Sequence, residues 1–271
     1  MEDKYKNIDN ELDKLDKLCG LELRFDVIKN LGDISPKVIE TFRRMDDLYN
    51  ELSIARYNLL MSVRDSYPEI VEQDQKGYGN RWTQYSFINT ATMWYDNCFD
   101  IMLQFVWFYY DIKKSQNDPT AWNKETIKQM QIKCRYENIE KWGNQDQFSS
   151  IFNNIKTFYQ NKTTFRVREW ANDIKHRKPL RINGVGHKNN TRIIFFSEIE
   201  IDGNKINAVN TGNKYDSGDV DQWYDPYYVI DELIEYHKNL VKCIESLADP
   251  IIEAHKDSLV PINGFICREN P

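Results

Sequence analysis

Cys98-Phe99-Asp100-Ile101-Met102-Leu103-Gln104-Phe105-Val106-Trp107-Phe108-Tyr109-Tyr110 is the most apolar run in the chain, and its reading decides the fold. Asp100 and Gln104 interrupt it, and it is far shorter than the roughly 20 apolar residues that a membrane-spanning helix needs. Upstream, Trp82, Tyr85, Ile88, Thr92, Tyr95 and Phe99 recur at steps of three and four, and Met102, Val106 and Tyr109 continue the series. That is the period of one helix face. Phe105, Trp107 and Phe108 spread the apolar surface around most of the circumference, which marks a helix buried in a core or shared with a second copy. The spacing predicts one helix over about 80–113. Asp96, Asp100 and Gln104 stand four apart on it, and polar groups in such a helix need partners. Either they bond within the bundle, or Asp100 orients a basic residue of a neighbouring helix.

The same logic extends in both directions. Ser35-Pro36 is a helix start, with Ser as cap and Pro at the first position. That helix runs to about Ser66, with Val38, Phe42, Met45, Leu48, Leu52, Ala55 and Leu59 on its core face. Helical stretches follow from Asp118-Pro119 to about Trp142 and from Phe148 to Tyr159. Asp225-Pro226 starts another long helix, and Asp249-Pro250 starts a shorter one to about Ser258. Between them, Thr191 to Ile201 and Lys205 to Val209 are rich in β-branched residues and flank Asp202-Gly203, a favoured hairpin turn. Residues 2–18 read as a polar helix with a narrow stripe of Ile8, Leu12, Leu15 and Leu18, packed loosely or paired with a partner; Leu21 to Leu31 is a short helix or an extended passage. The expected fold is mainly α, an up-and-down bundle of long helices with a β-hairpin at about 191–209 inserted before the C-terminal helix. Three segments are expected: an N-terminal helix and connection over 1–34, the helical domain over 35–258 and a tail over 259–271.

Composition narrows the function classes. The 271 residues are 41% hydrophobic, 13% aromatic and 29% charged, enough for a sizeable core. A net charge of −6 argues against a wholly basic nucleic-acid coat but leaves room for a local basic site. There is no Walker-type loop, no Gly-x-Gly-x-x-Gly and no Gly-x-Ser-x-Gly. The five cysteines are scattered without zinc or redox spacing, and His237 and His255 belong to no metal-type pattern, so no metal or cofactor is expected. The highly charged N-terminus lacks a secretory pattern, and a reduced, cytoplasmic protein without a membrane segment is expected.

One segment concentrates the chemistry: Phe165-Arg166-Val167-Arg168-Glu169-Trp170-Ala171-Asn172-Asp173-Ile174-Lys175-His176-Arg177-Lys178-Pro179. Arg168, Asn172 and His176 are four apart and form one stripe of a helix. Val167, Trp170, Ala171 and Ile174 supply its apolar side. Pro179 stops the helix near His176 to Arg177. An imidazole at that position suits proton exchange near neutral pH. Arg166, Arg168, Lys175, Arg177, Lys178 and Arg181 make the surroundings basic, either as a solvated helix end or as a phosphate-binding patch.

Asn172-x-x-x-His176 followed by Arg177 resembles the signature helix end of the HEPN superfamily, helical domains of prokaryotic defence and toxin systems. The resemblance implies a dimer and, where the motif is complete, a metal-independent ribonuclease. It places an Arg where this chain has Ala171; Arg168 is the nearest upstream candidate. RNA cleavage without a metal needs a base, an acid and positive charge at the phosphorane. His176 would serve as base or acid, Asn172 would position it or donate to a phosphate oxygen, and Arg168 would supply charge. Lys175, Arg177 and Lys178 would bind the nucleic acid. With the Arg missing, the expectation is a non-catalytic or weakly active relative that binds RNA or a partner protein, such as an antitoxin-like partner. The alternatives are an endoribonuclease using His176 in a dimer, and a helical protein in which Asn172 and His176 are structural.

Overall fold

A computed structural model describes residues 2–15, 18, 21–23, 35–71, 77–112, 123–143, 148–176, 179–183, 185, 194–201, 204–211, 223–256 and 259–261. The chain is mainly α, a bundle of long helices with a β-hairpin before the last of them. The N-terminal segment carries α1 (Glu2–Tyr5), α2 (Ile8–Glu11) and β1 (Leu21–Leu23). Two long helices follow, α3 (Pro36–Ser62) and α4 (Tyr78–Tyr109). Then come α5 (Lys124–Lys133), α6 (Tyr136–Gly143), α7 (Ser149–Tyr159) and α8 (Lys162–His176). After these lie β2 (Arg181–Ile182), β3 (Ile194–Ile201), β4 (Asn204–Thr211), β5 (Trp223–Tyr224), α9 (Pro226–Ala254) and β6 (Leu259–Pro261).

Local chemistry sets the helix boundaries. Pro36 opens α3, and Asp225 Oδ1 accepts from Tyr227 N and Tyr228 N to cap α9. Asp111 takes a positive φ of 49° after α4, and Ile112 N donates back to Trp107 O at 3.0 Å. That closure satisfies the last carbonyls and stops the helix before residue 113. The single helix expected through Trp142 is two: Cys134 is extended, and Asn138 Nδ2 donates to Lys133 O at 2.7 Å, capping α5 before α6 begins. The break expected at Asp249-Pro250 is absent. Pro250 sits inside α9 near its end, where the lost hydrogen bond is offset by burial of Leu247, Ala248 and Ile251 on an unbroken face.

The loosely packed helix expected over 2–18 is two single turns fixed to the bundle. Tyr5, Ile8, Leu12, Leu15 and Leu18 join the same buried cluster as α3, α4 and α9. Lys4 Nζ and Tyr5 Oη donate to Asp231 of α9, and Arg56 of α3 donates to the carbonyl of Asp9 at 2.8 Å. The first residues of the expected tail are β6, paired antiparallel with β1.

The apolar surface of α4 from Tyr95 to Phe108 is consumed inside the chain. Tyr95, Phe99, Met102, Phe105, Val106, Trp107 and Phe108 are all buried, so the alternative of α4 as a dimer interface is replaced by core packing. β3 and β4 pair antiparallel from Ile194–Thr211 to Ile201–Asn204, bracketing Asp202 and Gly203, which lie outside the described residues. A short parallel pair, β2 with β5, links the chain leaving α8 to the start of α9. No described helix is long and apolar enough to cross a membrane.

Candidate functional site

Asn161 starts α8, its Oδ1 accepting from Thr163 N at 2.8 Å, so the polar link expected at 160–163 is the helix cap. Val167, Trp170 and Ala171 make the buried face of the helix. Ala171 is 0% exposed. The position where the resemblance places an arginine therefore faces the packed interior, with no room for a guanidinium.

Arg168 turns inward. Its Nε donates to Asp96 Oδ1 of α4 at 3.2 Å, and its guanidinium carbon lies 4.5 Å from the ring centre of Phe99 and 4.9 Å from that of Tyr159. Burial works to lower the pKa of this group; the charge of Asp96 leads the effects that outweigh it, and the net shift is upward. Lys175, two helical turns on, is on the same side. Its Nζ donates to Asp96 Oδ2 at 2.9 Å and to Asn97 Oδ1 at 2.9 Å. Asp96, not Asp100, is thus the carboxylate that orients the cations of α8. Two of the expected phosphate ligands are committed to one buried carboxylate.

Asn172 and His176 are exposed. The His176 ring, in the last turn of α8, makes no hydrogen bond or ion pair among the described residues. Asn172 lines a cleft of about 380 Å³ with Arg166, Glu169, Asp173, Tyr224 and Tyr228. Arg166 is ion-paired with Glu232 and lies over the ring of Tyr228. Glu169 and Asp173 have the wrong sign for phosphate. Arg177 and Lys178 lie outside the described residues. The expected stripe is therefore divided: Asn172 and His176 face solvent, while Arg168 belongs to the interior. Among the described residues, this arrangement offers an imidazole and an amide for hydrogen bonding, without a guanidinium brought to the imidazole.

The other described histidines are structural. His237 is fully buried, with Nδ1 2.9 Å from Tyr95 Oη and Nε2 2.9 Å from Asp13 O. A carbonyl only accepts, so Nε2 carries the proton and Nδ1 accepts from the tyrosine. Burial pushes its pKa down to about 4. His255 packs edge-on against Phe42 and Tyr109, and burial lowers its pKa too. Nothing in the spacing of His237 marks it as a tether; its position on the α9 core face was the available signal.

Among the described residues, no group of three or more His, Cys, Asp or Glu side chains is placed to hold a metal ion. No protein-family model, curated protein or solved structure matches the chain.

Proposed function

We propose that this chain is a HEPN-like helical protein that binds RNA without cleaving it. The observation that carries the reading is the division of the α8 motif. His176 and Asn172 are open to solvent, while position 171 is buried and Arg168 is held by Asp96. Metal-independent cleavage needs positive charge at the phosphorane as well as a proton-transfer group. Among the described residues no guanidinium stands beside the exposed imidazole, which supports binding of RNA without its hydrolysis.

The test is a binding and cleavage measurement on the full chain. Single-stranded RNA should bind with an affinity that falls steeply with salt, survive incubation with chelator present, and bind His176→Ala about as well as the parent. Chelator-resistant cleavage that disappears in His176→Ala would establish the endoribonuclease alternative. Absence of binding at low salt would end the RNA reading. The resemblance further implies a homodimer and an antitoxin-like partner; sedimentation at micromolar concentration tests the first of these.

A further inference from the structure

An RNA-binding chain needs phosphate contacts and surfaces for bases, and the described residues of the motif face supply few phosphate contacts. Arg168 and Lys175 are spent on Asp96, and the cleft beside Asn172 holds two carboxylates. The chain leaving α8 runs along α4 towards its N-terminal turns. Lys175 meets Asn97, Leu180 N donates to Asn89 Oδ1 at 3.1 Å, and Ile182 reaches a cleft lined by Tyr85 and Arg81. From Asn97 to Tyr85 is about 18 Å along the helix axis, at the usual rise per residue.

That cleft has a volume of about 500 Å³, within the roughly 300–1,000 Å³ range of small-ligand sites. Its walls include Arg64, Arg81, Gln84, Tyr85, Asn183 and Tyr227. Next to it Trp82 is 59% exposed and packs 5.2 Å from the ring of Tyr85, and Tyr78 is 66% exposed. Among the described tyrosines and tryptophans these two are the most exposed, whereas Tyr95, Trp107, Trp170 and Tyr236 fill the core. Arg81 is exposed and has no ion-pair partner among the described residues. Arg181, on β2, is exposed and acts electrostatically on Tyr85. Among the described residues lining the cleft or next to it, Asp225 caps α9 and Glu69 pairs with Arg64 at 2.5 Å, leaving Asp65 to oppose the arginines.

We infer that this end of α4, with β2, is a stacking platform for single-stranded RNA. Bases lie on Trp82 and Tyr78, and a backbone phosphate lies at Arg81, with the charge of Arg181 nearby. Aromatic faces accept any base, and an unpaired guanidinium takes phosphate in place of its counterion. Single strands fit because their bases are free to leave one another and stack on protein rings, which duplex bases are not. The inference rests on the RNA-binding reading and names the surface that reading requires.

Fluorescence anisotropy with a labelled 12-nucleotide oligouridine and the full chain tests it. Trp82→Ala should weaken binding about tenfold, the effect of losing one base–aromatic stack. Trp82→Phe should keep most of the affinity. Arg81→Gln should weaken binding and reduce the slope of log affinity against log salt by about one. Both positions are exposed, so circular dichroism and Tm should be unchanged. Parent protein that binds while Trp82→Ala and Arg81→Gln bind equally well overturns the platform and leaves the RNA reading standing. A duplex bound as tightly as the single strand also overturns it. Parent protein that binds no RNA overturns both.

Discussion

Arg168 of α8 donates from Nε to Oδ1 of Asp96 on α4 at 3.2 Å, and Lys175 takes the other carboxylate oxygen at 2.9 Å. One acidic side chain thus ties two turns of the motif helix to the centre of the bundle. Asp96→Ala should leave both cations partly buried without their partner. Each cation is 29% exposed, so the expected cost is about 3 kcal/mol, the low end for breaking a buried pair. Urea unfolding should show a lower midpoint at constant slope. An unchanged midpoint would mean that water already replaces the pair.

Ala171→Arg should not restore cleavage. The site is closed, and a guanidinium there must either force the helices apart or lie buried without an anion. A loss of at least about 3 kcal/mol is expected, read as a fall in Tm or as insoluble protein. A stable Ala171→Arg protein that cuts RNA would show that α8 can rotate this face outward.

Stability should depend on pH through His237. Its pKa is about 4 in the folded chain and 6.5 as an ordinary imidazole, so between these values the unfolded state binds more protons. Folding is therefore favoured fully above about pH 6.5, and the contribution is lost as the pH falls through 4. The difference corresponds to about 3 kcal/mol. Paired unfolding curves for the parent and His237→Gln, taken between pH 7 and 4, should converge as the pH falls. Parallel curves would show that the ring titrates normally.

The N-terminal segment should behave as core. Leu15 is 1% exposed in the cluster shared with α3, α4 and α9. Leu15→Ala should cost about 2–5 kcal/mol, measured as a shift in the denaturant midpoint. A change below about 0.5 kcal/mol would restore the expectation of a loosely attached helix.

Much of the architecture was legible because helix periodicity repeats over many residues. The apolar steps from Trp82 to Tyr109, the Ser35-Pro36 and Asp225-Pro226 starts, and the Asp202-Gly203 signal with its flanking strands placed the long elements. Errors clustered where a tertiary contact overrode a local cue. Pro250 reads as a helix start but stays inside α9 because the buried face continues past it. Asn138 splits a stretch that reads as one helix by capping a carbonyl five residues back. β1 and β6 pair across almost the whole chain, which no local pattern encodes.

The candidate site divided in the same way. Sequence spacing alone put Arg168, Asn172 and His176 on one stripe of α8, and it marked Asp96 as a polar residue in need of a partner. A stripe on a helix drifts, and a long flexible side chain turns towards whichever charge the neighbouring helix offers. Only the packing of α8 on α4 decided that Arg168 and Lys175 turn in to Asp96, that Ala171 is sealed, and that Asn172 and His176 remain outside. Periodicity records how a segment faces its core, whereas the direction of a charged side chain is set by partners distant in sequence and close in space.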